Sequence, residues 1–212
     1  MSVLNKRCSI RKFQDKPVDG ALVKEVIRLG TLAPTACNRQ GWRFIIVTDK
    51  DIMARVRKCG GSKIIPTAPI GVVVLYNKFT INLHYEDNIE SASACIENML
   101  LAATNIGLGA CWIGNLPKIN VMRRLFNVPK RYDIIAYIAF GYPEFQSDSV
   151  PRKYSNIDEL ISYNMFSMEK EIEIRKISKL QLSLIFVISK FHISVPGFIR
   201  KKIKDIMAVD HK

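Results

Sequence analysis

The chain has 212 residues, with 32 Lys or Arg against 19 Asp or Glu and a formal net charge of +13. A content of 48% hydrophobic and 24% charged residues suits one globular domain with an appendage. The charge is spread, with ten cations against five acids in residues 165–212 (+5, leaving +8 elsewhere), and no helix-turn-helix, zinc-finger or RNP pattern accompanies it. A nucleic-acid partner is therefore not expected.

Met1 to Lys16 is basic, with no apolar stretch behind it, which reads against a secretory signal. Within it Arg7-x-Ser9-x-Arg11 sets two guanidinium groups and a hydroxyl two residues apart. In an extended segment that period places all three on one side, a donor set suited to a phosphate monoester. An ordinary basic segment is the simpler reading of the same residues.

Asp19 predicts the N-cap of a helix from Gly20 to about Leu32, which Pro34 ends. Pro34 to Gln40 is then a loop whose Thr35, Asn38 and Gln40 offer hydroxyl and amide groups, or else a polar turn with a capping Asn. Phe44 to Val47 reads as a buried strand, Lys50 to Cys59 as a short helix stopped by Gly60-Gly61, and Gly71 to Tyr76 as a second buried strand. The strongest helix runs from about Asn88 to Ile106. Its apolar arc through Ala92, Cys95, Ile96, Met99, Leu100 and Ala103 is wide enough for a central position.

Gly107 closes that helix. A short strand at Ala110–Ile113, a helix from about Ile119 to Phe126 and a strand from Ile134 to Phe140 follow. Gly107-x-Gly109-x-x-x-x-Gly114 is not a dinucleotide fingerprint, because it follows a helix and opens a strand. Its glycines instead let backbone amides near Ile113 and Gly114 approach a flat ring; Trp112 reads first as a core residue. Pro151-Arg152-Lys153 is either a second pair of cations for the same phosphate or a basic surface turn. The alternation of strands and helices predicts a three-layer α/β or α+β domain over residues 1–164. Residues 165–212 form a basic amphipathic extension whose apolar stretches fall short of the ~20 residues of a spanning helix. Cys8, Cys37, Cys59, Cys95 and Cys111 lack metal-ligand spacing with His84, His192 or His211. No metal is expected, and unpaired thiols fit a reducing cytoplasm.

Taken together, Arg-x-Ser-x-Arg near the start, A-P-T-A-C-N-R-Q-G-W-R-F at 33–44, S-A-S-A-C-I-E-N-M-L-L-A-A at 91–103, G-L-G-A-C-W-I-G at 107–114, G-Y-P at 141–143 and P-R-K at 151–153 resemble successive blocks of the nitroreductase-like FMN-dependent oxidoreductases. The resemblance covers about residues 5–160. It implies an α+β fold with a mostly antiparallel central sheet around a long buried helix, and a homodimer with FMN at the subunit interface. By position, Arg7, Cys8, Ser9 and Arg11 hold the phosphate with Arg152 and Lys153. Pro34, Thr35, Ala36, Asn38 and Gln40 reach the partner subunit's flavin, and Trp112, Ile113 and Gly114 lie along its ring system. The implied activity is ping-pong transfer of hydride from NADH or NADPH, through the flavin, to an electron-poor acceptor such as a nitroaromatic or quinone. No side-chain acid or nucleophile is required. Relatives often carry Pro where Gly41 stands, which implies a looser loop here, and Asn77–Glu86 sits where substrate choice is set. The alternatives are a same-fold flavoenzyme of a biosynthetic pathway, and a protein that docks on a membrane or partner through its basic tail. A membrane surface is the less favoured partner.

Overall fold

The computed structural model describes residues 2–79, 85–145 and 157–165. The chain divides into two units, Met1–Ser149 and Val150–Lys212. In the second, a short 3-10 turn spans Ile157–Leu160; the expected amphipathic extension lies outside the described residues.

The first unit opens with a helical turn, α1 (Val3–Lys6), that the sequence did not announce. Next comes α2 (Gly20–Gly30), where the Asp19 carboxylate accepts the Ala21 N–H at 2.8 Å as the sequence predicts. Strand β1 (Trp42–Val47) leads to α3 (Lys50–Lys58), capped by Asp49, which accepts from the N–H groups of Asp51 and Ile52. Strand β2 (Ile70–Asn77) precedes the long helix α4 (Asp87–Asn105). Gly107 ends that helix at φ 79°, the left-handed conformation glycine adopts most easily. Strand β3 (Gly109–Ile113), helix α5 (Ile119–Phe126) and strand β4 (Tyr132–Gly141) complete the unit.

The four strands form one antiparallel sheet in the order β1-β2-β4-β3. Its inner strands read as continuous apolar runs because both faces are covered. Val72, Val74 and Tyr76 of β2, with Ala136, Ile138 and Phe140 of β4, face α2 and α4. Val73 and Leu75, with Tyr137 and Ala139, face α3 and α5. A register shift at Val74/Leu75 pairs Leu75 with Ile134 and leaves Ile135 as the extra residue, so Ile135 and Ala136 pack on the same face. The arrangement is the expected three-layer α+β sandwich. α4 is central as its apolar arc predicts, with Ala92, Cys95, Ile96 and Met99 fully buried. Each buried Val or Ile of this double core contributes roughly 1.5–3 kcal/mol.

Two buried groups work against the core. The hydroxyls of Tyr76 and Tyr137 have no hydrogen-bond partner among the described residues, a cost of about 1–3 kcal/mol each. Burial holds the Tyr137 phenol far above its ordinary pKa and pushes the Cys95 thiol up to about 12. Tyr137→Phe is therefore expected to keep or raise the thermal midpoint, by the equivalent of about 1 kcal/mol; a drop in differential scanning calorimetry would contradict the packing. The folded chain also keeps the Cys95 proton where the unfolded chain, with a thiol pKa of 9.0, releases it. The Cys95 contribution to stability should thus be constant below pH 9 and fall as pH climbs from about 9 to about 12, measured as the denaturant midpoint.

Candidate functional site

The residues expected to grip a ligand gather at two places on the sheet. The first is the outer edge of β3. There Ser9 forms a parallel bridge with Ala110, and the Ile10 N–H donates to the Ala110 carbonyl at 2.9 Å. Gly109 makes this approach possible: a Cβ at that position would stand 2.8 Å from the Ile10 side chain. The segment from Arg7 to Arg11 is thereby laid beside the strand that carries Trp112 and Ile113.

Arg7 leaves the end of α1 and turns toward α4, where its Nε lies 3.5 Å from Glu97 Oε1. Its side chain is only 17% exposed, while that of Glu97 is 49% exposed. Glu97 is the sole partner of the Arg7 guanidinium among the described residues, so the terminal nitrogens remain available to an oxyanion. A largely buried cation with spare donors is completed by such a ligand. Ser9 and Arg11 are exposed on the same segment, and Arg11 Nη1 donates to the Ser9 carbonyl at 3.4 Å. Arg11 also lowers the Cys111 thiol pKa, though burial dominates and raises it overall. Cys8 is half-buried. This donor set fits a phosphate monoester.

Trp112 departs from expectation. It is 38% exposed on the strand rather than part of the core, so its indole is free to lie against a ligand. Ile113 is instead buried in the core that faces α3 and α5, so only its backbone can serve a ligand. Gly114 is exposed. Arg152 and Lys153 lie outside the described residues.

The second place is the loop before β1, at the opposite edge of the sheet. Cys37, Asn38 and Gln40 all adopt positive φ (51°, 52° and 52°). Asn tolerates this conformation; for Cys and Gln it costs on the order of 1 kcal/mol or more. The loop is tied down accordingly. The Ala36 N–H donates to Ser91 Oγ at 3.2 Å, and that hydroxyl donates to the Asp87 carbonyl at 2.6 Å. The Gln40 N–H donates to Thr35 Oγ1 at 3.2 Å, and Gln40 Nε2 to Asn38 Oδ1 at 2.8 Å. Arg39 lies over the Phe79 ring at 5.2 Å and donates to the Phe79 carbonyl. At Gly41 a Cβ would sit 2.9 Å from Tyr76 Cε1, and the Gly41 carbonyl accepts the Asn77 N–H at 2.9 Å. Glycine here makes room for the tyrosine beneath. Pro34 is exposed, as are Asn38 and Gln40.

The two places are not adjacent within one chain. The loop precedes one edge strand, β1, and the cation segment lines the other, β3, and those two strands are three inter-strand gaps or roughly 14 Å apart. Their anchors on α4, Ser91 and Glu97, are six residues apart, about 9 Å along the axis and on different faces. Sequence reading missed both anchors. The only signal for them was a serine and a glutamate interrupting an otherwise small and apolar helix block. Among the described residues no cluster of His, Cys, Asp or Glu could hold a metal.

Comparison with known proteins points the same way. A family model described as the nitroreductase family matches residues 4–59 and 56–142. A provisionally named NADH dehydrogenase/NAD(P)H nitroreductase of Archaeoglobus fulgidus is 27% identical over 152 residues, covering 70% of this chain and 87% of that protein. A solved structure from Parabacteroides distasonis bearing the same provisional name is 30% identical with a TM-score of 0.68, covering 77% of this chain and 96% of the other. An FMN-dependent nitroreductase from Clostridium difficile is 27% identical with a TM-score of 0.67, covering 78% and 99%.

Thiol chemistry tests this placement. At mildly alkaline pH, a thiol reagent should modify the exposed Cys37 and Cys59 in the native protein. Cys95 and Cys111 should react only after unfolding. Mass spectrometry of the labelled peptides reads the outcome, and native labelling of Cys95 would contradict the position of α4.

Proposed function

Because the chain belongs to the nitroreductase family, we propose that it is an FMN-dependent NAD(P)H oxidoreductase reducing an electron-poor acceptor such as a nitroaromatic or quinone. The observation that carries this reading is the Arg7 guanidinium: largely buried, touched by one carboxylate at 3.5 Å, with its terminal nitrogens still to be used. Arg7, Ser9 and Arg11 would hold the flavin phosphate, with Cys8 beside them and Arg152 and Lys153 as further contributors. Trp112 and the backbone of Ile113 and Gly114, on the strand that this segment flanks, would border the ring system.

The loop from Pro34 to Gln40 stands at the far edge of the sheet, so in this reading it serves a second copy of the chain. Thr35, Asn38 and Gln40, with the backbone at Pro34 and Ala36, would reach the flavin held by the partner subunit, in a homodimer. A strained loop held by fixed hydrogen bonds suits that task, because its polar groups need no reordering when the ring arrives.

When bound, the flavin supplies the redox chemistry, and the chain supplies binding, orientation and charge. Cations at the phosphate end fix the cofactor's register and favour extra negative charge on it. The exposed Trp112 side of β3 would be open in turn to NAD(P)H and to the acceptor, which would give ping-pong kinetics without a side-chain acid or nucleophile. The free thiols fit a cytoplasmic setting.

The visible absorption of purified protein should show oxidised flavin, and denaturation should release FMN. Arg7→Ala and Arg11→Ala should each weaken FMN binding about ten- to a hundred-fold, the range for a lost charge-assisted contact. Wild-type protein that is colourless and refuses added FMN would overturn the cofactor assignment. Full flavin occupancy in both variants would overturn the phosphate site alone.

A further inference from the structure

The fold sorts charge in a way the sequence does not show. Along the chain the cations look evenly spread, but the layer formed by α3, α5 and their flanking turns, residues 49–63 and 118–131, holds ten Lys or Arg against only Asp49 and Asp51. The two helices pack on one another and cover the same face of the sheet. On the other face, α4 carries Asp87, Glu90 and Glu97 and no cation at all. On that same face α2 adds Lys24 and Arg28 against Glu25, so the surplus of cations sits on the α3/α5 layer, which faces away from α4, where both candidate ligand groups are anchored.

Some of these cations have structural work. Lys50 donates to the Ala68 carbonyl, Arg57 to that of Gly61, and Arg123 to those of Val128, Pro129 and Tyr132. Six others, Arg55, Lys58, Lys63, Lys118, Arg124 and Lys130, are exposed and make no side-chain hydrogen bond or ion pair among the described residues. Favourable placement at a helix C-terminus accounts for Arg55, Lys58 and Arg124. It does not account for Lys63 or Lys130, and it is reversed for Lys118. That lysine occupies the N-cap of α5, where the helix dipole disfavours a cation, with no side-chain cap and no acid in the first turn. Beside it Ile119 is 47% exposed.

We propose that the α3/α5 layer is a docking surface for an anionic lipid bilayer. The cations come from separate helices and turns, and no exposed aromatic side chain stands among them in residues 49–63 and 118–131. Base stacking, which adds affinity for single-stranded nucleic acid, has nothing to use. One exposed isoleucine is too small an anchor for a protein interface, whose binding energy centres on buried aromatic and Arg groups. A lipid surface makes neither demand. Its anionic headgroups move laterally to meet scattered cations, and a single apolar side chain can enter the interface beside them. Residues 166–212, outside the described set, add ten Lys or Arg against five acids in sequence, so membrane adhesion would draw on two basic segments.

Full-length protein should co-sediment at low salt with phosphatidylcholine vesicles containing about 30 mol % phosphatidylserine, not with phosphatidylcholine alone, and should be released by high salt. The variant Lys58→Ser/Lys63→Ser/Lys118→Ser/Arg124→Ser should lose partitioning by nearly three orders of magnitude, at about five-fold per cation, with the circular dichroism spectrum and flavin content unchanged. A charge-matched change in the extension, Lys176→Ser/Lys179→Ser/Lys201→Ser/Lys202→Ser, should leave a layer-dependent component that still responds to the layer variant. Lys118→Glu separates binding from folding: it should raise the thermal midpoint, by favouring the α5 N-terminus, while weakening vesicle binding at least about five-fold. Equal binding to neutral vesicles, undiminished partitioning of the layer variants, loss confined to the extension variant, or tighter binding of duplex oligonucleotide than of vesicles at the same salt would each overturn the proposal.

Discussion

Everything in this structure depends on burying both faces of one four-stranded sheet. Valines 72, 73 and 74 are each fully buried, alternately toward α4 and toward α3 and α5. With both faces closed, the sheet itself is left accessible at its edges and at the loops that leave them. The N-terminal segment takes one edge, by pairing Ser9 and Ile10 with Ala110. The loop before Trp42 takes the other.

That division gives α4 a second role. It is the core element that fills the space over the sheet, and its polar positions also anchor the two ligand groups, Ser91 holding the strained loop and Glu97 meeting Arg7. Packing and site geometry are therefore set by one rigid helix, which holds each group to a fixed position. The spacing along that helix also keeps the two candidate groups on different sides of it. The proposed pairing of subunits follows from this separation.

Charge obeys the same layering. Helix α4 is acidic, α2 beside it is mixed, and the opposite helices carry the surplus of Lys and Arg. An enzyme arranged this way can turn one side to a small anionic cofactor and the other to a larger anionic surface without the two competing.

Much of this was legible in the sequence, for identifiable reasons. Asp19 before an apolar-periodic run, the unbroken valines of β2 and the wide arc from Ala92 to Ala103 are local signals, so the elements and the three-layer class could be read directly. The family resemblance added the antiparallel order. Other features depend on contacts between distant residues. Trp112 looked like core because only the sheet's edge decides that it is exposed, and Arg7 gained its carboxylate only when α1 met α4. The positive φ values at Cys37 and Gln40 have no signature in residue type. The +13 charge looked diffuse because sequence distance hides that α3 and α5 share a face. Local periodicity and capping fixed the parts, while the close approach of Gly109 to Ile10, the bridge from Ala36 to Ser91 and the sorting of cations onto one layer were decided by how those parts packed.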